Sequence, residues 1–379
     1  MGQTGRAGGD LEKPKPKIVA IIFGSVLLLA GSIGLFWNEW RSAGRTATLL
    51  AGERSVVSLD VQSVPTPLPA GLVHLVGQAR PSEAIVDDVF PVRSDGLRLD
   101  RTVEMYQWRE HREGSGDDRE YRYERVWAEG RIPSERFRAG GSRVNPAPPP
   151  IASERRYPSE VSIGAFGVAP TLLDLLPASE TVAVTGASDV YVGGELYRAT
   201  GAAFSTSRQP LPEIGDVRVR FQAVPVGTIS ALGGVDGSIV DHWTAPNGES
   251  VAMASPGLTT ADAMLAAAYR SNALTTWGIR LAATLVVFVG MALLLPRLDR
   301  HIPKIRDLRA KLKAGLVLPL AVVLATAWAS LVIAAAWVVF RPLMSLALLA
   351  GSIALLFLLI WAAERRDGEG RERKGARGG

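Results

Sequence analysis

At 379 residues the chain has the length of roughly two or three soluble domains, but its apolar residues gather into four long runs, which makes topology the first question. The absence of cysteine excludes disulfides, cysteine-ligated zinc and thiol catalysis in one step. A net charge of +5 and a pI near 9.6 would suit a nucleic-acid binder, yet the basic residues are distributed as in a membrane protein.

Residues 1–17, MGQTGRAGGDLEKPKPK, read as a disordered basic tail, and their Met-Gly start lacks the Ser/Thr at position six that myristoylation prefers. The first apolar run, 18–37, exceeds the core of about 7–15 residues found in a cleaved secretory signal. Bulky Trp37 and Trp40 also stand where a cleavage site needs small side chains. The run is therefore read as a retained anchor, with Asn38 and Glu39 marking its exit from lipid and RSAGRTATLLAGE continuing the helix to about Gly52.

From Ser55 the pattern turns to period two. Leu97, Leu99, Val103 and Met105 alternate with Arg98, Asp100, Thr102 and Glu104, which predicts a strand with one buried face. REYRYERVW (119–127) places Tyr121, Tyr123 and Trp127 on one side, and VRVRF (217–221) alternates cleanly. Turn signals at 94–96, 114–118, Gly193-Gly194 and Asn247-Gly248 join such strands. Proline-rich loops are expected at 64–71 and 144–150, the second a candidate dividing line within the domain, and a short helix over Thr171–Leu176.

Thr259 with Asp262 forms a candidate capping box ahead of one helix running from about 260 to 295, stalk and second span together. The second run is 278–296, followed by a basic loop, 297–314. The third, 315–340, and the fourth, 343–363, are separated only by Phe340-Arg341-Pro342, which predicts a tight antiparallel hairpin with Pro342 in the first turn of the last helix. Residues 364–379 read as a second disordered tail.

Residues 1–17 carry four Lys/Arg against two acids, 297–314 seven against two, and the tail from Glu364 six against four. Residues 38–277 carry 23 Arg, 29 acids and no lysine. The positive-inside rule then places both termini and the 297–314 loop in the cytoplasm and 38–277 outside. The expected fold is an integral membrane α-helical protein of four transmembrane helices, with a large β-rich α+β extracytoplasmic domain inserted between the first and second. Phe36, Trp37, Trp40, Trp277 and Trp337 all fall at the outer interface of that arrangement.

Transport or intramembrane proteolysis needs ionisable groups at membrane depth, and the spans offer none below their first turns. They carry small residues four apart instead, Ala321, Ala325 and Ala329, and Ala347 with Gly351, suited to close helix packing. A metal or acid–base site would have to draw on His74, His111, His242, the Asp87-Asp88 pair and other carboxylates, but no HExxH, GxSxG or phosphate-cradling loop is present. No catalytic, metal-ligating or cofactor-binding residue is assigned, and no cofactor is expected. The leading expectation is a membrane scaffold whose partners are the bilayer, other membrane or envelope proteins and a second copy of the chain, with no nucleic acid. Its rivals are a membrane-anchored enzyme or ligand sensor with a pocket at Asp236, Asp241 and His242, and a solute channel past Ala325 and Gly351.

Several words of the sequence carry a resemblance: LFWNEWR (35–41), LVHLVG (72–77), LDRTVEMYQWRE (99–110), YRYERVW (121–127), IGDVRVRF (214–221), RSNALTTWGIR (270–280) and FRPL (340–343). In order and content the chain resembles the transmembrane protein 43 family, also called LUMA. The residues that carry the match are Asn38, Glu39, Glu104, Tyr106, Trp108, Trp127, Gly215, Asp216, Arg270, Asn272, Gly278, Arg280, Arg341 and Pro342. The resemblance implies four spans, one before a luminal domain and three after it, and a non-enzymatic organiser. Animal members lie in the endoplasmic reticulum and inner nuclear membrane and associate with envelope proteins. The arginine-rich, cysteine-free, alanine-rich composition suggests a bacterial member in a plasma membrane.

Overall fold

The computed structural model describes residues 16–114, 119–298, 317–354 and 357–358. Most of the N-terminal tail, the 114–118 turn and the 297–314 loop, the end of the fourth run and the C-terminal tail lie outside the described residues. The chain divides into two compact units, one of residues 50–266 and one of the flanking residues up to Leu49 and from Ala267.

Helices and strands are numbered along the chain. The helices are α1 (Pro16–Ser55), α2 (Pro170–Leu173), α3 (Ala261–Leu298), α4 (Val317–Trp337) and α5 (Pro342–Ala354). Two stretches, Ile18–Ser55 and Ala261–Pro296, are long and apolar enough to cross a bilayer, while the described apolar helices Ala321–Trp337 and Pro342–Ala354 are shorter. Large apolar side chains point away from the protein all along them, including Ile22, Phe23, Leu29 and Ile33 on α1, Leu281 and Leu285 on α3, and Leu343 and Leu346 on α5. Contiguous exposed apolar surface of this kind is stable in lipid and a liability in water.

Among themselves these helices pack through small residues. A Cβ built on Gly290 of α3 would lie 2.8 Å from the Gly24 carbonyl oxygen and 2.9 Å from the Leu28 nitrogen, and one on Gly31 2.7 Å from Val287. The backbones of α1 and α3 therefore approach as closely as only glycine permits. Ala325 and Ala329 of α4 close the same core with Leu35, Ala283 and Val287, and Ser345 of α5 donates its hydroxyl to the Ala334 carbonyl at 2.7 Å. Pro342 begins α5, so the hairpin turn falls where the sequence places it.

The 50–266 unit is built from two sheets. In the first, β1 (Val57–Ser58), β2 (Val73–Pro81), β8 (Val161–Ile163), β9 (Phe166–Val168), β16 (Ile239–Asp241), β15 (Gly227–Asp236) and β19 (Met253–Pro256) lie in that order, and a β2–β15 pairing closes the path on itself. Leu75, Ile163, Phe166, Leu172 and Ala231 fill its interior without solvent contact. The second runs β11 (Val190–Val192), β12 (Glu195–Thr200), β13 (Ala203–Ser205), β14 (Val217–Val224), β5 (Arg98–Glu113) and β6 (Glu120–Glu129), with β10 (Glu180–Thr181) on β14 and β7 (Glu154–Arg156) on β5. Its core gathers Leu99, Val103, Met105, Phe90, Phe204 and Phe221. Hairpins β3–β4 (Ile85–Val86, Arg93–Ser94) and β17–β18 (Trp243–Thr244, Ser250–Val251) complete the unit.

The alternation read at 97–105 thus buries the apolar residues it should, but Arg98 is not on the wet side. It is buried, with Nε 2.7 Å from Asp100 and Nη1 donating to the Leu173 carbonyl at 2.6 Å. The proline-rich 144–150 loop does not divide the domain, because after leaving β6 the chain returns through β7 to β5 of the same sheet, and residues 50–266 form one compact unit. Thr260 rather than Thr259 caps α3, its hydroxyl accepting from the Ala263 amide at 3.2 Å, while the Thr259 hydroxyl turns to Ser255. Gly193 and Gly194 take φ of 58° and 87°, as the two-residue β11–β12 turn requires.

The close approach of α1 and α3 makes Gly290→Ala destabilising by about 1–3 kcal/mol through overpacking. Gly278→Ala, with nothing within 4 Å of the added Cβ, is expected to be neutral or slightly stabilising through helix propensity. Thermal unfolding of the full chain in detergent distinguishes the two.

Candidate functional site

On α1, Asn38, Ser42 and Thr46 follow one another at intervals of four, and on α3 Asn272, Thr276 and Arg280 do the same. That spacing lines each set along one helix face. The two polar stripes meet. Asn272 donates from Nδ2 to the Ser42 carbonyl at 3.2 Å and to Thr46 Oγ1 at 3.3 Å, and the Ser42 and Thr276 hydroxyl oxygens lie 2.9 Å apart. Asn38 donates to the Thr276 carbonyl at 3.1 Å. Arg41 reaches across, Nη1 to Asn272 Oδ1 at 3.2 Å and Nη2 to Asn38 Oδ1 and Thr276 Oγ1 at 3.3 and 3.2 Å.

Below this ladder Glu39 and Arg280 form a bidentate pair, Nε to Oε1 and Nη2 to Oε2, both at 2.7 Å. Glu39 is 2% exposed, and an ionised carboxylate so far from water has to be paired and fully hydrogen-bonded to persist. The third donor is the Trp337 indole, Nε1 to Oε2 at 2.8 Å. The Arg280 guanidinium stands 4.7 Å from the Trp277 ring centroid and 5.6 Å from that of Trp337, and Trp40 meets Phe340 edge-on at 4.9 Å. Asn38 and Glu39 are thus buried against α3 instead of facing solvent at the end of a span.

Asn38, Glu39, Asn272 and Arg280, singled out by resemblance, are brought together with Trp337. Arg341, exposed, stacks 5.6 Å over Trp337. Arg270, Gly278 and Pro342 are exposed. Phe36, Trp37, Trp40 and Trp277 are exposed and Trp337 half-buried. Of the small residues, Ala321, Ala325 and Ala329 are buried on α4, whereas Ala347 and Gly351 are exposed, and a Cβ at Gly351 would meet nothing within 4 Å. Trp328 donates to the Ser32 hydroxyl at 2.9 Å, a polar contact within the apolar runs.

The remaining resemblance residues share the second sheet. Glu104 pairs across the ladder with Arg218 and is bonded by Arg218 Nε and Arg220 Nη2, each at 2.7 Å. Tyr106 lies opposite Trp127, ring centroids 5.2 Å apart, and Arg218 stacks 4.4 Å over Trp127. Trp108 has Arg125 and Arg143 at 5.8 and 5.4 Å from its ring, and Arg143 also lies 4.1 Å over Tyr123. Buried Asn145 binds the Trp108 backbone on both sides, Oδ1 accepting at 2.7 Å and Nδ2 donating at 2.9 Å. Gly215 and Asp216 continue the ladder beyond β14, the Tyr106 amide donating to Asp216 at 2.8 Å and the Gly215 amide to Tyr106 at 2.9 Å. The result is an ordered strip of half-exposed aromatic rings and arginines.

The histidines and acids weighed for chemistry have structural partners. His74 is buried between Ser58 Oγ and the Thr259 carbonyl, at 3.1 and 2.9 Å. His111 is exposed, 2.7 Å from Glu124. Asp87 and Asp88 clamp Arg101 at 2.8 and 3.1 Å. Asp236, Asp241 and His242 do share a cleft of about 220 Å³, where Asp241 accepts from the Thr171 hydroxyl and the His242 amide. Among the described residues no group of three metal-ligating side chains converges.

A family model described as Transmembrane protein 43 matches residues 105–342. Curated proteins of that name from Pongo abelii and Homo sapiens are each 27% identical over 94% of this chain and 93% of their own. A Transmembrane protein 43 homolog from Drosophila melanogaster is 24% identical over 86% of this chain and 90% of its own. No solved structure matches.

Removing one partner of the Glu39–Arg280 pair leaves a buried charge uncompensated, so Glu39→Gln and Arg280→Met each cost roughly 3–5 kcal/mol, and the double variant costs less than their sum. A thermal-unfolding double-mutant cycle in detergent measures this, and strict additivity would contradict the pairing. In the sheet, burial pushes the Glu104 carboxyl up, but the bonds and charges of Arg218 and Arg220 outweigh it and hold its pKa below the ordinary 4.5. A depressed folded pKa contributes stability above the ordinary value that is lost as pH falls through the folded one. Glu104→Gln is therefore expected to melt below wild type at neutral pH, and the gap to narrow in acid.

Proposed function

This chain belongs to the Transmembrane protein 43 family, and on that premise we propose that it is a multi-pass membrane organiser. It has four transmembrane helices, cytoplasmic termini and an extracytoplasmic segment over 38–277. It binds other membrane or envelope proteins, or a second copy of itself, through the β-rich unit and its helices. The lysine distribution supports the orientation, and the exposed apolar helix faces support the lipid environment. The arginine-rich, cysteine-free composition supports a bacterial plasma membrane.

One observation carries the binding role. The outer face of the second sheet holds Tyr106, Trp108 and Trp127 half-exposed, with Arg125, Arg143 and Arg218 stacked on their rings. Tyr, Trp and Arg are the residues that dominate binding energy at protein interfaces, and rings fixed in advance lose little entropy on docking. A second reading, a ligand sensor or hydrolase, is supported by the cleft that joins Asp236, Asp241 and His242. It predicts a small molecule whose binding is lost in His242→Ala.

The test is in-cell photo-crosslinking from positions 108 and 127 with mass-spectrometric identification, against position 191 as an exposed control on β11. The organiser reading expects a small, reproducible set of membrane or envelope proteins, or this chain itself, from 108 and 127, and co-purification reduced about tenfold or more by Trp108→Ala. Recovery of uncrosslinked monomer alone from both positions would contradict it.

A further inference from the structure

The polar junction is electrically lopsided. The contacts given above tie together three guanidiniums, Arg41, Arg280 and Arg341, and a single carboxylate, Glu39. Arg41 spends Nη1 and Nη2 on neutral oxygens of Asn38, Asn272 and Thr276, and its Nε is buried without a hydrogen-bond partner. Arg280 commits Nε and Nη2 to Glu39, so Nη1 is the one guanidinium nitrogen of Arg280 that this pair does not use. Among the described residues Arg341 has no carboxylate within salt-bridge distance, and its guanidinium is held 5.6 Å over Trp337. Arg41 and Arg280 are partly buried and Arg341 is exposed beside them, so one carboxylate against three guanidiniums leaves a local excess of positive charge that an anion would offset.

Beside these groups lies a cleft of about 320 Å³ lined by Ser42, Thr46, Asn272, Thr276, Arg280 and Arg341, with Trp277 at its wall. Its donors suit a tetrahedral oxyanion: one guanidinium comes from α3 (Arg280) and one from the turn between α4 and α5 (Arg341), and the ladder hydroxyls of Ser42, Thr46 and Thr276 line the same cleft. A carboxylate would be satisfied by one fork, whereas a phosphate offers oxygens to both. We propose that this cleft is a binding site for a phosphate group, carried by a phospholipid headgroup or free in solution. The site follows from side-chain geometry within the helical unit. Only its level at the membrane surface, where Trp277 and Trp337 would flank a headgroup, rests on the four-span reading.

The experiment uses the purified, delipidated full chain in zwitterionic detergent. In one arm native mass spectrometry measures retention of phosphatidylglycerol and phosphatidylcholine. In the other the thermal midpoint is followed with added inorganic phosphate against chloride at matched ionic strength. Arg341→Gln removes one fork, and Ala273→Phe fills the cleft from an exposed position without changing charge. Each is expected to weaken binding about tenfold. Lipid retention sensitive to both variants, with no phosphate effect, identifies a headgroup site. A phosphate-induced midpoint shift sensitive to both, with no lipid retained, identifies a free anion, and would uphold the site while leaving the topology open. Wild-type binding by both variants in both arms, or no binding by wild type in either, overturns the proposal. Unliganded midpoints within a few degrees of wild type show that the variants fold.

Discussion

A carboxylate taken out of water between apolar helices persists only if a cation meets it, and this constraint organises the helical unit. Glu39 on α1 and Arg280 on α3 lie 241 positions apart, yet their two-point contact fixes both the rotation and the height of one helix against the other. In that register, and no neighbouring one, Gly24 and Gly31 come opposite Gly290 and Val287, and the Asn–Ser–Thr stripe of α1 meets the Asn–Thr stripe of α3. Dispersion between lipid-exposed helices is not selective, because lipid competes for the same surface. The polar junction supplies the selectivity that the apolar residues lack.

The same rule runs through the β-rich unit in water-soluble form. Arg98, Arg101 and Glu104 are each buried on β5 and each is met by opposite charge: Asp100 on the same strand, Asp87 with Glu154, and Arg218 with Arg220. The chain passes from one core to the other at the start of β5. Leu97 and Val224 pack with the first core, while Leu99 and Ala223 pack with the second. The Arg98 guanidinium seals that seam against the Leu173 carbonyl. With no disulfide to brace it, the unit depends on such pairs together with its packing.

How much of this could be read from the chain varies with range. The apolar runs, the alternation at 97–105, the β11–β12 turn and the helix near 171 are local patterns and were legible. Glu39–Arg280 was not, although its signal was present: an acid at the end of one apolar run, a base at the start of the next, and polar residues at intervals of four on both. Reading them as an exit from lipid was reasonable for each helix alone, since only the pair buries them. Arg98 was misplaced because periodicity assigns a face and says nothing of a partner. Thr259 and Thr260 carry the same hydroxyl, and only the path of the backbone decides which of them meets the free Ala263 amide. Small-residue spacing marked Ala347 and Gly351 as well as Ala325 and Ala329, but close approach needs an opposite helix, and the tightest approach falls on Gly24, Gly31 and Gly290.

Because the chain contains no cysteine, the junction can be probed by placing a single pair. Ser42 and Thr276 have hydroxyl oxygens 2.9 Å apart, so Ser42→Cys with Thr276→Cys in otherwise unaltered membranes should oxidise rapidly to an intrachain disulfide, identified as a linked peptide. A control pair of Cys at Phe36 and Trp277 should not. Failure of the 42–276 pair to link, or equal linking of the control, would contradict the claim that the family's sequence words assemble into one polar junction between α1 and α3.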